Sequence, residues 1–253
     1  MELGLNGKKA VVTGATRGIG RAIAELLASE GVDLAICARN QQEVDTAVSA
    51  LAEKGVKVTG SVVDVADKAS YQQWIAKVGD ELGGIDIFVP NVSAGGGDMS
   101  DEGWVKNLNI DVLGTTRGIE AALPFLEHSA NASIVIIAST AGVETFMGPQ
   151  PYNAIKGALV IHGKQLSQSL APQGIRVNCV SPGPVYFEGG AWQYIKENMP
   201  ELYEGTLAQI PQGRMGSPEE IARAVAFLAS PAASLITGVN LVADGGFTKR
   251  VQL

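Results

Sequence analysis

The sequence predicts an α/β fold in which one domain, residues 1–253, winds a parallel β-sheet between helices on both faces. Three observations carry that reading. Apolar runs of strand length alternate with helical periodicity along most of the chain, and parallel crossovers require a helix's worth of residues. A glycine-rich loop follows the first apolar run directly. The 253 residues, 46% of them hydrophobic, can bury a large core at the upper end of single-domain size.

The elements follow in order. Residues 8–13 end in Ala10-Val11-Val12 and read as a buried strand. A helix over 21–30 carries Ile23, Leu26 and Leu27 at helical spacing, and Gly31 stops it. A second strand spans 32–38, Asn40 caps a helix reaching about 54, and a third strand spans 56–63. The alternation continues with a helix at 68–82, a strand at 85–89, one long helix from about 102 to 127 and a strand at 133–138. A helix over 151–170 and a strand over 176–180 come next. Ser217-Pro218-Glu219-Glu220 combines an N-cap, a first-turn proline and two acids, which starts a helix running to about 228. A last strand lies at 239–243.

Residues 183–212 leave this rhythm. They hold Tyr186, Phe187, Trp192, Tyr194 and Tyr203, five of the chain's fourteen aromatic residues. A long aromatic connection after a sheet strand reads as a lid or pocket wall. The alternative is a helical pair docked on the surface.

Composition excludes several classes. A net charge of −7 with no basic stripe argues against nucleic acid. No apolar run reaches about 18 residues, so no membrane partner is expected. The start Met1 to Lys9 lacks the pattern of a signal peptide, which points to the cytoplasm. Cys37 and Cys179 are too isolated for a disulfide framework, and with only His128 and His162 no metal site is expected.

Gly14, Gly18 and Gly20 lie where the first strand turns into a helix. Glycines there let the backbone approach a phosphate, and the unpaired amides of the helix start face the anion. No Gly-Lys-Ser/Thr follows, so a triphosphatase loop is disfavoured and a dinucleotide is expected. An acid at the end of the second strand would bind both ribose hydroxyls, whereas arginine accepts a 2′-phosphate. Here Arg39 follows that strand and Arg17 lies in the loop. NADP(H) is therefore favoured, with NAD(H) as the other option.

Tyr152 and Lys156 are four apart and share a helix face. A nearby positive charge favours phenolate over phenol, which suits the tyrosine to give or take a proton.

At this point the chain resembles the short-chain dehydrogenase/reductase family over about residues 8–246. The resemblance rests on Thr13-Gly14-Ala15-Thr16-Arg17-Gly18-Ile19-Gly20, on Ser139 thirteen residues before Tyr152, and on Tyr152 with Lys156. Asp64-Val65, Arg176-Val177-Asn178, Ser181-Pro182-Gly183 and Asp244-Gly245-Gly246 match later landmarks. It implies a Rossmann-type fold and a cofactor held by Gly14, Thr16, Arg17, Gly18, Ile19 and Gly20, with Asp64 and Val65 at the adenine. It also implies that Ser139 binds the substrate oxygen, that Tyr152 exchanges its proton, and that Lys156 binds the nicotinamide ribose and favours the ionised tyrosine. Pairing into a homodimer or homotetramer through two long helices and the last strand is implied too. Ile119, Ala122, Leu123, Leu159 and Val160 are apolar positions that would serve either a partner or the core.

Three departures accompany the match. Asp111, seven residues on from Trp104 and thirteen back from Pro124, takes the place of the family's catalytic asparagine. Its backbone can keep that role in proton relay, while its carboxylate changes the relay. The Asn-Asn-Ala-Gly expected after the fourth strand reads Pro90-Asn91-Val92-Ser93, with Asn91 kept for the cofactor. Phe187 replaces a threonine whose hydroxyl would touch the cofactor, while Val185 can still offer its backbone to the carboxamide.

The expected function is interconversion of a carbonyl and a secondary alcohol by hydride transfer on a small to medium, partly apolar molecule. Ser139, Tyr152, Tyr186, Phe187 and Trp192 would contact it. Lys196 is the only Lys or Arg within 183–212, so nothing there announces an acidic substrate. The alternatives are a 3-oxoacyl-carrier-protein reductase, which needs a basic docking patch, and a non-catalytic dinucleotide-binding sensor or scaffold, of which Asp111 would be the sign.

Overall fold

The computed structural model describes residues 2–251. Its strands are β1 Lys9–Thr13, β2 Asp33–Ala38, β3 Val58–Val62, β4 Ile87–Val89, β5 Ser133–Ile137, β6 Arg176–Pro182 and β7 Asn240–Ala243. They form one sheet in the order β3-β2-β1-β4-β5-β6-β7, parallel throughout. The chain winds outward from β1 to β3, then crosses back to place β4 on the other side of β1. That reversal opens a crevice between the loops leaving β1 and β4, the place where open parallel sheets bind ligands.

The helices are α1 Gly18–Ser29, α2 Gln41–Ala52, α3 Lys68–Leu82, α4 Asp101–Asn107, α5 Gly114–Leu126, α6 Pro151–Leu170, α7 Ala191–Asn198, α8 Pro200–Leu207 and α9 Pro218–Ala229. Successive strand residues face opposite sides, so Val12, Leu34 and Ile36 pack with Ile23, Leu27, Ile221 and Val225 of α1 and α9. Val11, Ala35, Phe88 and Ile134 pack with Tyr71, Ile75, Ile119 and Leu159 of α3, α5 and α6. Covering both faces explains why the strands read as unbroken apolar runs. Arg176 ties the far end together, donating to the carbonyls of Leu228, Ala229, Ser230 and Ile236.

Several expected boundaries move. α1 starts at Gly18, inside the glycine loop, because the Arg17 carbonyl already accepts from the Arg21 amide at 3.2 Å. β6 runs on to Pro182 because β7 pairs alongside as far as Pro182 opposite Ala243. The long helix expected over 102–127 is interrupted by a π-helical segment, Leu108–Leu113. A π turn inserts an extra residue and rotates the helix beyond it. Here it lies among α4, α5 and α6 and buries the carboxylate of Asp111 completely. Residues 183–212 are largely a pair of short helices, α7 and α8.

Ile119, Ala122 and Leu159 belong to the core, while Leu123 and Val160 are partly buried. The exposed apolar residues of that region are Trp104, Val105, Leu108 and Ile161.

Among the described residues no helix is long and apolar enough to cross a membrane. None of their His, Cys, Asp and Glu side chains form a group of three that could hold a metal ion.

Candidate active site

The crevice at the strand-order reversal is a cleft of about 440 Å³. Its floor is the glycine loop. A Cβ at Gly20 would lie 2.2 Å from the Gly14 carbonyl oxygen, so only glycine lets the helix start this close to the strand end. Gly14 and Gly18 have φ of +66° and +55°, a region that L side chains rarely adopt. No side chain caps the start of α1, so the first-turn amides are left for an anion.

Asn91 fastens the loop after β4 to the loop after β1. Its side-chain amide donates to the Thr13 and Gly14 carbonyls at 3.0 and 3.2 Å, and its backbone amide donates to Thr13 Oγ1 at 3.0 Å. Thr16, Arg17, Ile19, Arg39, Asp64 and Val65 all line the same cleft. So does Glu43, which the sequence reading overlooked: its carboxylate accepts from Thr16 Oγ1 at 2.9 Å. Its signal was available, since it stands in the first turn of the helix that follows Arg39.

Phe187 departs from expectation. Instead of standing with Tyr186 and Trp192, its ring lies over Gly18, close enough that a Cβ there would meet it at 2.6 Å, and also against Gly190. It lines the same cleft as the glycine loop. Val185 is buried and pairs with Gly216 in a parallel bridge. The bridge uses the Pro184 carbonyl and the Tyr186 amide, which leaves the amide and carbonyl of Val185 itself directed away from it.

At the carboxyl ends of the central strands the structure brings Tyr152, Lys156 and Asp111 together. Lys156 is 2% exposed, and its Nζ donates to the Ile137 carbonyl at 3.0 Å. Asp111 Oδ1 is 3.1 Å from that Nζ and has no hydrogen-bond partner of its own, so the contact is one of charge more than of alignment. Asp111 Oδ2 accepts from the Ala94 amide at 2.8 Å. The ammonium stands 5.7 Å from the centre of the Tyr152 ring. Cys179 of β6 also faces Lys156; burial pushes its thiol up to about 12, against the pull of the lysine's charge.

Ser139 closes β5, and its hydroxyl accepts from the Ala141 amide at 3.1 Å, capping the turn Thr140–Gly142. That turn presses on α6, where a Cβ at Gly142 would lie 2.5 Å from the Lys156–Gly157 peptide. The loop after β4 also reaches Tyr152: Gly97 donates to Gln150 Oε1 at 3.0 Å, and Gly96 lies against the tyrosine's Cβ.

Beyond lies an aromatic cluster. Phe146 meets Phe247 edge-on at 5.3 Å and Trp192 at 6.2 Å, Trp192 meets Tyr203 at 6.4 Å, and Tyr203 meets Tyr186 at 6.3 Å. Lys196 Nζ sits 5.4 and 5.5 Å from the Tyr186 and Tyr203 rings. Phe146 and Phe247 were not anticipated. The first stands six residues before Tyr152 and the second directly after Asp244-Gly245-Gly246, so both flank motifs that were visible.

A family model described as enoyl-(acyl carrier protein) reductase matches residues 14–248. Isoepoxydon dehydrogenase patN of Penicillium expansum is 38% identical over 247 residues, covering 96% of this chain and 95% of that protein. Dehydrogenase/reductase SDR family member 4 of Oryctolagus cuniculus is 39% identical over 254 residues, covering 98% and 96%. The crystal structure of L-sorbose reductase from Gluconobacter frateurii, complexed with NADPH and L-sorbose, superposes with a TM-score of 0.91 at 31% identity, covering 99% of this chain and all of that one. On this likeness over nearly its whole length, and with the cleft and side chains just described, the chain belongs to the short-chain dehydrogenase/reductase family and is an oxidoreductase that interconverts alcohol and carbonyl groups.

Proposed function

We propose that the protein is an NADP(H)-preferring enzyme for small to medium, partly apolar ketones and secondary alcohols, with Tyr152 as general acid and base. The observation that carries this reading is the sealed Lys156 one helical turn from Tyr152, beside the cleft. In that cleft the first-turn amides of α1 would meet the pyrophosphate, Arg17 and Arg39 a 2′-phosphate, and Asp64 and Val65 the adenine. An ammonium has three donors. Lys156 directs one to Ile137 and faces Asp111 with another, which leaves the last for a ribose hydroxyl. The Val185 backbone would meet the carboxamide, and Phe187 covers the loop at Gly18.

When bound, the dinucleotide supplies or accepts the hydride. The protein's part is to hold the substrate oxygen between Ser139 and Tyr152 and to move one proton. In reduction the carbonyl carbon gains the hydride and its oxygen gains the phenol proton, after which solvent reprotonates Tyr152.

The aromatic cluster supports a partly apolar substrate, and residues 183–212 are read as the lid that carries most of it. With NADPH and a panel of aliphatic and aryl ketones, Tyr152→Phe is expected to lower kcat by about 10²- to 10⁴-fold. Turnover that survives the change intact would sink the catalytic assignment. Cofactor preference is tested by titrating NADPH and NADH onto wild type and Arg39→Ala. Glu43 opposes a 2′-phosphate, so the preference stands on the two arginines outweighing it; a preference unchanged in Arg39→Ala removes it.

Trp104, Leu108 and Ile161 support a homodimer or homotetramer. A monomeric mass in light scattering would count against it. The unpaired, buried Cys37 and Cys179 support a cytoplasmic location, which cell fractionation can refute.

A further inference from the structure

We propose that Asp111 is a positioning residue that neutralises Lys156 inside the site, keeps Tyr152 in its phenol form, and so moves alcohol oxidation to higher pH while carbonyl reduction is full at neutrality. The inference rests on the reading of Tyr152 as the proton donor and goes on to name what sets the pH dependence of each direction.

The geometry is that of a closed ion pair. The two side chains are 3% and 0% exposed and 3.1 Å apart. Asp111 Oδ2 is occupied by the Ala94 amide, while Oδ1 has only the ammonium to answer it. A lone buried cation 5.7 Å from a tyrosine ring would strongly favour phenolate. A cation matched by a carboxylate presents a dipole instead, whose field falls off faster than that of a lone charge.

The groups that face the pair do not restore a net positive charge. From β5 comes the Ile137 carbonyl, from the loop after β4 the Ala94 amide, and from β6 the Cys179 thiol, which burial keeps protonated. Lys106 of α4 lines the cofactor cleft but is exposed to solvent. With the lysine matched, the resting tyrosine is a proton donor. Reduction needs that phenol, which gives its proton to the carbonyl oxygen as the hydride reaches carbon. Oxidation needs phenolate to take the alcohol's proton, so it must wait for higher pH.

The test reads the tyrosinate absorbance of NADP⁺-loaded enzyme against pH, with the Tyr152→Phe spectrum subtracted to isolate Tyr152. Asp111→Asn, which removes the charge and keeps the shape, is expected to move the ionisation step down by about one pH unit or more, a tenfold rise in phenolate fraction at a given pH. Asp111→Glu, which keeps the charge, is expected to leave the step near the wild-type position. A step that does not move in Asp111→Asn, or that moves equally in Asp111→Glu, overturns the proposal. This readout needs no turnover, so it is separate from failure of the proposed reaction.

Should Asp111→Asn not fold, the wild type still decides. Its kcat/KM for oxidising 1-phenylethanol is expected to rise about tenfold per pH unit through neutrality, while acetophenone reduction is already full there. An oxidation profile that is flat by neutral pH overturns the idea without any variant.

Discussion

The cleft and the aromatic cluster beyond the Tyr152 site are built in different ways. The floor of the cleft is made of backbone. Consecutive residues from Thr13 to Gly20 supply it, and its close approaches, such as Gly20 to the Gly14 carbonyl, leave no room for a side chain. The aromatic cluster is made of side chains from three distant segments: Phe146 before α6, Tyr186, Trp192 and Tyr203 on and before α7 and α8, and Phe247 after β7. A backbone site tolerates little change and is shared readily among relatives. A side-chain site can be repacked to suit another molecule without disturbing the cofactor.

The contrast can be broken first where the cleft is most rigid. Gly20→Ala places a methyl group 2.2 Å from the Gly14 oxygen and 2.5 Å from Asn91 Nδ2, both parts of the loop's own frame. NADPH affinity is expected to fall by at least about 100-fold, in the range of strained close-packed sites, with a lower melting temperature. Isothermal titration and thermal melts check this. Near-normal binding would mean that the loop is softer than described.

Phe146→Ala probes the aromatic cluster. Aromatic pairs contribute about 0.5–1.5 kcal/mol beyond area burial, and Phe146 joins two of them, to Trp192 and Phe247. KM for an aryl ketone is expected to rise about tenfold, with the NADPH dissociation constant unchanged. If both constants change together, the two regions are coupled and the contrast weakens.

Glu144→Gln is a gentler probe of the same region. Its carboxylate accepts the Lys249 and Arg250 amides at 3.0 and 3.4 Å, holding the segment that follows Phe247 against the loop that leads to Tyr152. Losing charge while keeping shape should cost about 1 kcal/mol, a fewfold rise in ketone KM. Steady-state kinetics with cofactor saturating would show it, and an unchanged KM would mean that the C-terminal segment plays no part.

This contrast also explains what the sequence made legible. The sheet, the glycine loop and the pairing of Tyr152 with Lys156 depend on residues close in sequence, whose period and spacing are visible directly. The π segment was not visible, because 102–127 reads as an unbroken helix; burial of Asp111 beside Lys156 is settled by packing against α6. Phe187 was misplaced for a similar reason. Its position in an aromatic-rich stretch suggested the substrate wall, but the bridge between Val185 and Gly216 fixes the chain there and turns the ring onto Gly18. Phe146 and Phe247 lie far apart along the chain, and only the fold makes them neighbours.

The smallest expected effect concerns the joint between the two regions. Gly216 pairs with Val185 where the segment after β6 leaves the sheet, and the next residue starts the capping box of α9. In that box Glu220 accepts from the Ser217 amide at 2.9 Å and takes both Arg214 nitrogens at 2.7 and 2.8 Å. The Arg214 side chain, first by hydrogen bonding, and then the Ser217 amide hold its carboxyl down at about 2. A group held below its unfolded value stabilises the fold above that value and loses the contribution as pH falls through the folded one. The window here runs from about 4.5 down to about 2. The pair is open to solvent, so its contribution is small. Glu220→Gln should therefore unfold slightly more easily in urea at neutral pH, and the gap to wild type should close as the pH approaches the lower limit. The same variant should leave NADPH affinity untouched and raise ketone KM only marginally, because it loosens the joint and neither wall of the cleft. A gap that persists unchanged at the acid end would mean that shape, and not charge, holds the joint.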